Sequence, residues 1–262
     1  MGNPSGHRAR KRFGQNFLHD QSVIARIVSA IRPKADDCLV EIGPGLGALT
    51  QPLLTAAGCL QVVELDRDLI PLLKASCEPV GELTVHEADA LKFDFSTLAE
   101  SGKPLRVVGN LPYNISTPLL FHLLTFTGLI KDMHFMLQHE VVRRLAAPPG
   151  SKEYGRLSVI TQYYCKVDYL FSVAGHAFTP APKVESAIVR MAPYETPPVA
   201  VGDVDIFRQI VTASFAHRRK TLRNNLKHLM TAETIAANDI DPGIRAEQLT
   251  LAEFAALSRA MQ

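Results

Sequence analysis

The chain has 262 residues, 47% of them hydrophobic and 21% charged, with a formal net charge of +2, enough for one large core and a small second unit. No apolar run approaches the roughly 20 residues of a membrane span, and the basic amino terminus leads into polar Gly14-Gln15-Asn16 rather than a signal-peptide core. Cys38, Cys59, Cys77 and Cys165 form no CxxC and no Cys/His cluster, which reads as buried free thiols of a cytoplasmic protein, with neither disulfides nor a metal.

In chain order, apolar residues at Val23, Ile24, Ile27, Val28 and Ile31 predict a helix over residues 21–32, with Asp20 as N-cap and Pro33 as stop. Strand and helix patterns then alternate. Strands are expected at Cys38–Ile42, Leu60–Leu65, Glu82–His86, Leu105–Gly109 and Asp132–Gln138. Helices are expected up to Ala57, up to about Cys77 and over Pro118–Phe126, although Pro52 and Pro71 fall inside the first two. A helix at Leu157–Tyr164 and strands near Asp168–Val173 and Ser186–Met191 follow. Such alternation implies a doubly wound α/β fold, its mostly parallel sheet carrying a ligand crevice at the strands' carboxyl ends and an antiparallel addition at one edge. The run Ala192 to Pro198 reads as a linker, and the rest is helical. The expected domains are 1–195, with a basic arm at 1–20, and a small all-helical domain at 196–262.

The net charge hides an asymmetry. Arg8, Arg10, Lys11 and Arg12 precede any acid, and Ile206 to Ala232 holds six Lys/Arg and no Asp or Glu. Either cluster alone reads as a solvated face; together they are the footprint of a polyanion partner.

Three features converge on the crevice. Glycines at 43, 45 and 47 follow the first strand with a spacing tighter than the dinucleotide fingerprint, which disfavours a nicotinamide-dependent dehydrogenase. Glu64 ends the second strand 17 residues after Gly47, placed to accept both ribose hydroxyls. Asp89, after the third strand, is placed to take an adenine amino group. Alone, either acid is more often a helix N-cap; at the ends of adjacent strands, beside a glycine turn, they signal S-adenosyl-L-methionine. After the fourth strand comes Asn110-Leu111-Pro112-Tyr113. The Asn110 carbonyl and a backbone carbonyl near Pro112 can accept hydrogen bonds from an exocyclic amino group. Pro112 fixes φ, and Tyr113 offers a stacking face. Asn-x-Pro is also a common turn, so the tetrapeptide gains its meaning from the rest of the chain.

Taken together, these motifs resemble those of class I, Rossmann-like methyltransferases that modify adenine N6. Lys11 to Leu18 resembles the amino-terminal motif of the ribosomal RNA adenine dimethyltransferases, which folds over the cofactor and so implicates Asn16 and Leu18. Phe178-Thr179-Pro180-Ala181-Pro182-Lys183-Val184 resembles a later motif of that family, and Arg218-Arg219-Lys220-Thr221-Leu222 its carboxyl-terminal helix. Glu185 departs from the usual Asp. Asn110 to Pro118 looks most like the small-subunit branch.

The resemblance implies a seven-stranded sheet, S-adenosyl-L-methionine as cofactor and no metal. It also implies dimethylation of two adjacent adenosines in a hairpin loop near the 3′ end of 16S rRNA in the 30S particle, by a monomer, with a role in small-subunit biogenesis. Gly43, Glu64, Asp89 and Asn110 join Asn16 and Leu18 as cofactor residues; Asn110, Pro112 and Tyr113 act on the base. Phe178 is a second stacking face or a core residue, and Arg218, Arg219, Lys220 and Arg223 take RNA. A DNA adenine methyltransferase and a ribosome-assembly factor are the alternatives. The first would more often carry Asp/Asn-Pro-Pro-Tyr and a larger recognition domain than the roughly 65 residues after the linker.

Overall fold

The computed structural model describes residues 15–99 and 102–261. The basic side chains at positions 8–12 lie outside the described residues. The described residues divide into two compact units, one comprising those up to Val142 with Asp168–Pro193, the other Arg143–Val167 with those from Tyr194 onward.

The first unit opens with β1 (Phe17–Leu18) and α1 (Gln21–Ile31). It continues through β2 (Cys38–Ile42), α2 (Thr50–Ala57), β3 (Cys59–Glu64), α3 (Ile70–Cys77) and β4 (Glu82–Glu87). Next come β5 (Leu105–Asn110), α4 (Ser116–Leu123), β6 (Ile130–Gln138) and the start of α5 (His139–Leu145). After α6 (Arg156–Tyr164), the chain adds β7 (Cys165–Val173), β8 (Phe178–Thr179) and β9 (Ser186–Pro193).

Seven strands form one sheet in the order β4-β3-β2-β5-β6-β9-β7. The neighbours from β4 to β6 are parallel, and β9 runs antiparallel to β6 with His134 opposite Arg190 and Gln138 opposite Ser186. β2 is buried along its whole length, as a central strand covered on both faces must be. Gly109 marks the tightest approach: a Cβ there would sit 2.6 Å from the Ile42 carbonyl oxygen.

α1 is capped as its sequence demands. Asp20 accepts hydrogen bonds from the Ser22 and Val23 amides, and Arg32 closes the helix in the left-handed region at φ 51°. Ile24, Ile27 and Ile31 are buried in the main core together with Leu39, Leu53, Leu54 and Val62. Arg106 ties the helix's end to the sheet, donating to the Ile31 carbonyl at 2.6 Å, to both Asp132 oxygens at 2.9 and 3.0 Å, and to Asp37 at 2.6 Å.

Pro52 and Pro71 stand in the first turns of α2 and α3, where an amide has no intrahelical acceptor to lose. Four differences from expectation stand out. The segment after Gln138 turns directly into α5. β1 and β8 form an unanticipated two-stranded antiparallel sheet, pairing Phe17 with Thr179 and Leu18 with Phe178. Cys59 is exposed, while the other three thiols are buried, and all four are free. Residues 143–167 group with the carboxyl-terminal helices rather than with the sheet.

The second unit contains α6, α7 (Val204–Ser214), α8 (Leu222–Leu226), α9 (Ala232–Ala236) and α10 (Leu251–Arg259). Its core is aromatic: the Phe207 ring lies 4.9 Å from that of Tyr163, and Phe215 lies 5.7 Å from Phe254. No helix among the described residues is long and apolar enough to cross a membrane.

Candidate active site

A crevice of about 340 Å³ opens at the carboxyl ends of β2, β3 and β5, the position where a doubly wound sheet presents its ligand site. Its floor is the turn Gly43-Pro44-Gly45-Leu46-Gly47. All three glycines have positive φ, at +65°, +59° and +86°, a region costly for any residue with a Cβ. At Gly45 a Cβ would also lie in tight contact with the Phe17 ring, at 3.3 Å. At its glycines the turn thus offers bare backbone, and the Phe17 ring packs against Gly45.

Glu64 is only 7% exposed. Its two oxygens accept separate backbone hydrogen bonds, one from Asp66 at 2.8 Å and one from Gly45 at 3.3 Å. Burial raises its pKa, and these amides act against that rise. A carboxylate offers about four lone-pair sites, so capacity toward the crevice remains. Asp89 is half-buried and lines the crevice while its Oδ1 accepts the Leu91 amide at 3.0 Å. Turn-capping and lining coexist in that residue.

Glu41 was not among the expected site residues. It is 2% exposed, lines the crevice and accepts the Thr50 hydroxyl at 2.6 Å. Burial pushes its pKa up to about 7; the Thr50 hydrogen bond opposes this and the Glu64 charge adds to it. The signal was present in the sequence as an acid inside an apolar strand, directly before the glycine turn.

Asn110 ends β5, with Gly109 permitting the close packing just before it. Its Nδ2 donates to the Asn16 carbonyl at 3.0 Å. Leu111, Pro112 and Tyr113 continue the wall. The Pro112 carbonyl accepts the Ile115 amide at 3.2 Å, which fixes the turn into α4. Tyr113 is anchored through its hydroxyl, 2.7 Å from that of Ser186, and burial raises the phenol's pKa. Asn16 and Leu18 also line the crevice. Asn16, Leu18, Gly43, Glu64, Asp89, Asn110, Pro112 and Tyr113 are therefore brought together.

Phe178 is not among them. It is 3% exposed and packs in the main core with Leu18, Ala177 and Ile188, so its ring faces hydrophobic neighbours and not the crevice. The reason is its place in β8, where pairing with Leu18 fixes it in the interior. Arg218, Arg219, Lys220 and Arg223 belong to the second unit and are all exposed. The first three lie in the turn between α7 and α8 rather than on a helix, with Thr221 as the N-cap of α8; Arg218 donates to the Lys152 carbonyl. Among the described residues, no group of three His, Cys, Asp or Glu is arranged to hold a metal ion.

A family model described as ribosomal RNA adenine dimethylase matches residues 6–262. The chain belongs to that family. A ribosomal RNA small subunit methyltransferase A of Hahella chejuensis is 62% identical over 249 residues, covering 95% of this chain and 91% of the relative. Among solved structures, a dimethyladenosine transferase from Plasmodium falciparum superposes with a TM-score of 0.77 at 27% identity, covering 92% of this chain and 95% of that one. The 23S rRNA methyltransferase ErmE shares the fold at a TM-score of 0.74 and 24% identity, with 94% and 99% covered. This chain is accordingly an S-adenosylmethionine-dependent rRNA adenine dimethyltransferase with a class I methyltransferase fold.

The crevice suits that cofactor. Bare glycine backbone admits a bulky ligand, Glu64 and Asp89 offer acceptors, and two buried acids, Glu41 and Glu64, favour a cation.

Proposed function

We propose that this dimethylase modifies N6 of two adjacent adenosines in a hairpin loop near the 3′ end of 16S rRNA. It acts in the cytoplasm on the 30S particle during small-subunit biogenesis, as a monomer. The observation that carries the chemistry is the Asn110–Asn16 hydrogen bond: it occupies the amide nitrogen and leaves Oδ1 as an acceptor beside the crevice. Similarity to small-subunit enzymes supports the choice of RNA.

In this reading Glu64 holds the ribose hydroxyls, Asp89 the adenine amino group, and the Gly43 turn passes beside the amino-acid end. Asn16 and Leu18 cover the cofactor. When bound, S-adenosylmethionine supplies an electrophilic methyl group on a sulfonium, an excellent leaving group.

The difficulty lies with the target. Its N6 lone pair is delocalised into the ring, and nitrogen gains positive charge as it attacks. Asn110 Oδ1 accepts an N6–H, and a backbone carbonyl near Pro112 takes the other. Both bonds strengthen as charge develops, so they favour the transition state over the ground state. One such acceptor is worth about 3 kcal/mol, on the order of 100-fold in rate. The proton leaves to water, so no general base is needed.

A stacked base cannot reach the crevice, so the adenosine is extruded. Tyr113, its ring held through Ser186, supplies the stacking face. The exposed Arg218, Arg219, Lys220 and Arg223 supply sequence-independent attraction to RNA phosphates, and the selective contacts fall on the unstacked bases of the hairpin loop.

Labelled-methyl transfer to naked RNA, small subunits, large subunits and DNA in parallel tests this assignment. Label is expected in small-subunit RNA; preferential labelling of large subunits or DNA would overturn it.

A further inference from the structure

A second cavity of about 470 Å³ lies in the sheet unit, at the amino-terminal ends of β5 and β6, away from the strand ends that carry the crevice. Five Arg/Lys side chains line it against two carboxylates, Asp37 and Asp132. Those two acids are engaged by Arg106, at 2.6 Å and 2.9 Å, so much of their charge is already answered. The remaining cations approach from different elements. Lys34 comes from the segment after α1, Lys131 from β6 and Arg190 from β9. Lys131 lies 3.8 Å from Asp37, and Arg190 lies 3.3 Å from Asp168.

His134 lines the same cavity and is 3% exposed. It stands directly opposite Arg190 in the β6–β9 ladder, close enough for the two side chains to share a ligand. Neither ring nitrogen has a hydrogen-bond partner; its nearest carboxylate oxygen, on Asp132, is 3.9 Å away. Buried polar groups are almost always satisfied. A neutral imidazole offers one donor and one acceptor, and burial keeps this ring neutral by lowering its pKa to about 4.

We propose that this cavity is an anion site for inorganic phosphate, distinct from the methyl-transfer crevice. Cations converging from three directions suit a tetrahedral anion better than a planar carboxylate, which pairs best with a single guanidinium fork. Near neutral pH, phosphate carries both negative oxygens and a P–OH. Its negative oxygens can therefore answer the cations while its P–OH donates to the unprotonated His134 nitrogen, which sulfate, lacking O–H, cannot do.

The test is an NMR titration of the His134 ring nitrogens in the full-length protein, with sodium phosphate, sodium sulfate and sodium chloride at matched ionic strength. Phosphate is expected to shift the ring signals saturably, with sulfate weaker by about tenfold, the loss of one charge-assisted hydrogen bond. Lys131→Gln, at a side chain 55% exposed, should weaken phosphate binding while S-adenosylmethionine affinity stays unchanged, which verifies the fold. Ring signals that do not move with phosphate, or that move equally with chloride, would overturn the proposal. Equal affinity for sulfate would contradict the part assigned to His134.

Discussion

The side chain of Asn110 donates to the backbone carbonyl of Asn16 at 3.0 Å, across 94 positions of sequence. Asn16 is held in turn on both sides. Gln15 donates to Asp66 at 3.0 Å, and Phe17 and Leu18 pair with β8. The amide of Asn110 is thereby oriented by a different part of the chain, and in the proposed mechanism its oxygen is the group that meets the amine. An isolated Asn-x-Pro turn has no such constraint.

Glu64→Ala should weaken S-adenosylmethionine binding by about 30-fold or more, the scale of losing hydrogen bonds to a charged acceptor. The variant also leaves the Gly45 and Asp66 amides without their acceptor, so calorimetry belongs beside a check of folding. Unchanged affinity in a folded variant would remove Glu64 from the cofactor site.

Glu41 makes the empty protein's stability pH-dependent. Its pKa is raised in the fold from 4.5 to about 7, so the folded state holds a proton that the unfolded chain releases. The resulting stability is fully present below pH 4.5 and is lost as pH rises through about 7, at up to roughly 1.4 kcal/mol per pH unit. Cofactor binding should strengthen over the same window, because a cation favours the ionised form. Glu41→Gln should flatten both dependences in denaturant titrations and in calorimetry; unaltered slopes would show that Glu41 does not titrate there.

Two glycine substitutions should separate backbone conformation from packing. Gly43→Ala meets nothing within 4 Å but keeps φ at +65°, a penalty of about 1–2 kcal/mol. Gly109→Ala drives a Cβ to 2.6 Å from the Ile42 carbonyl, so two central strands must part, at a cost of about 3 kcal/mol or more. Urea midpoints at equal m-values would rank them; the reverse order would contradict the close β2–β5 approach.

Charge reversal at Arg219 and Lys220 should weaken association with the small subunit and reduce its salt dependence by roughly two phosphate contacts. Both side chains are exposed. Binding with an unaltered salt slope would mark the turn as a solvated surface.

Much of this was legible in the sequence because local rules coincide with tertiary ones. Asp20 and Pro33 bracket α1 as helix signals do, and the short, mostly apolar run 38–42 reads as a strand, which the sheet places at its centre. Glu64 and Asn110 could be placed because they follow such strands. Other features depend on contacts distant in sequence. The pairing of Phe17–Leu18 with Phe178–Thr179 leaves no local signature in two-residue strands, and it decides Phe178, open in the sequence between a stacking face and a core residue, as a core residue. The grouping of residues 143–167 with helices beyond the linker has no local marker either. The Glu41 pKa follows from burial, which periodicity suggests but cannot quantify.

The central claim is that one crevice, with Asn110 as acceptor, performs two successive transfers to each adenine. A monomethylated amine keeps one hydrogen for Asn110 or its backbone neighbour, and rotation about C6–N6 presents the remaining lone-pair lobe again. Mass spectrometry of nucleosides from unmethylated small subunits, treated with wild-type or Asn110→Ala protein at saturating cofactor, tests this directly. The account predicts N6,N6-dimethyladenosine from the wild type and a rate lowered about 100-fold in the variant, with RNA binding retained. Monomethyladenosine as the lasting product, or near-normal turnover by Asn110→Ala, would contradict it.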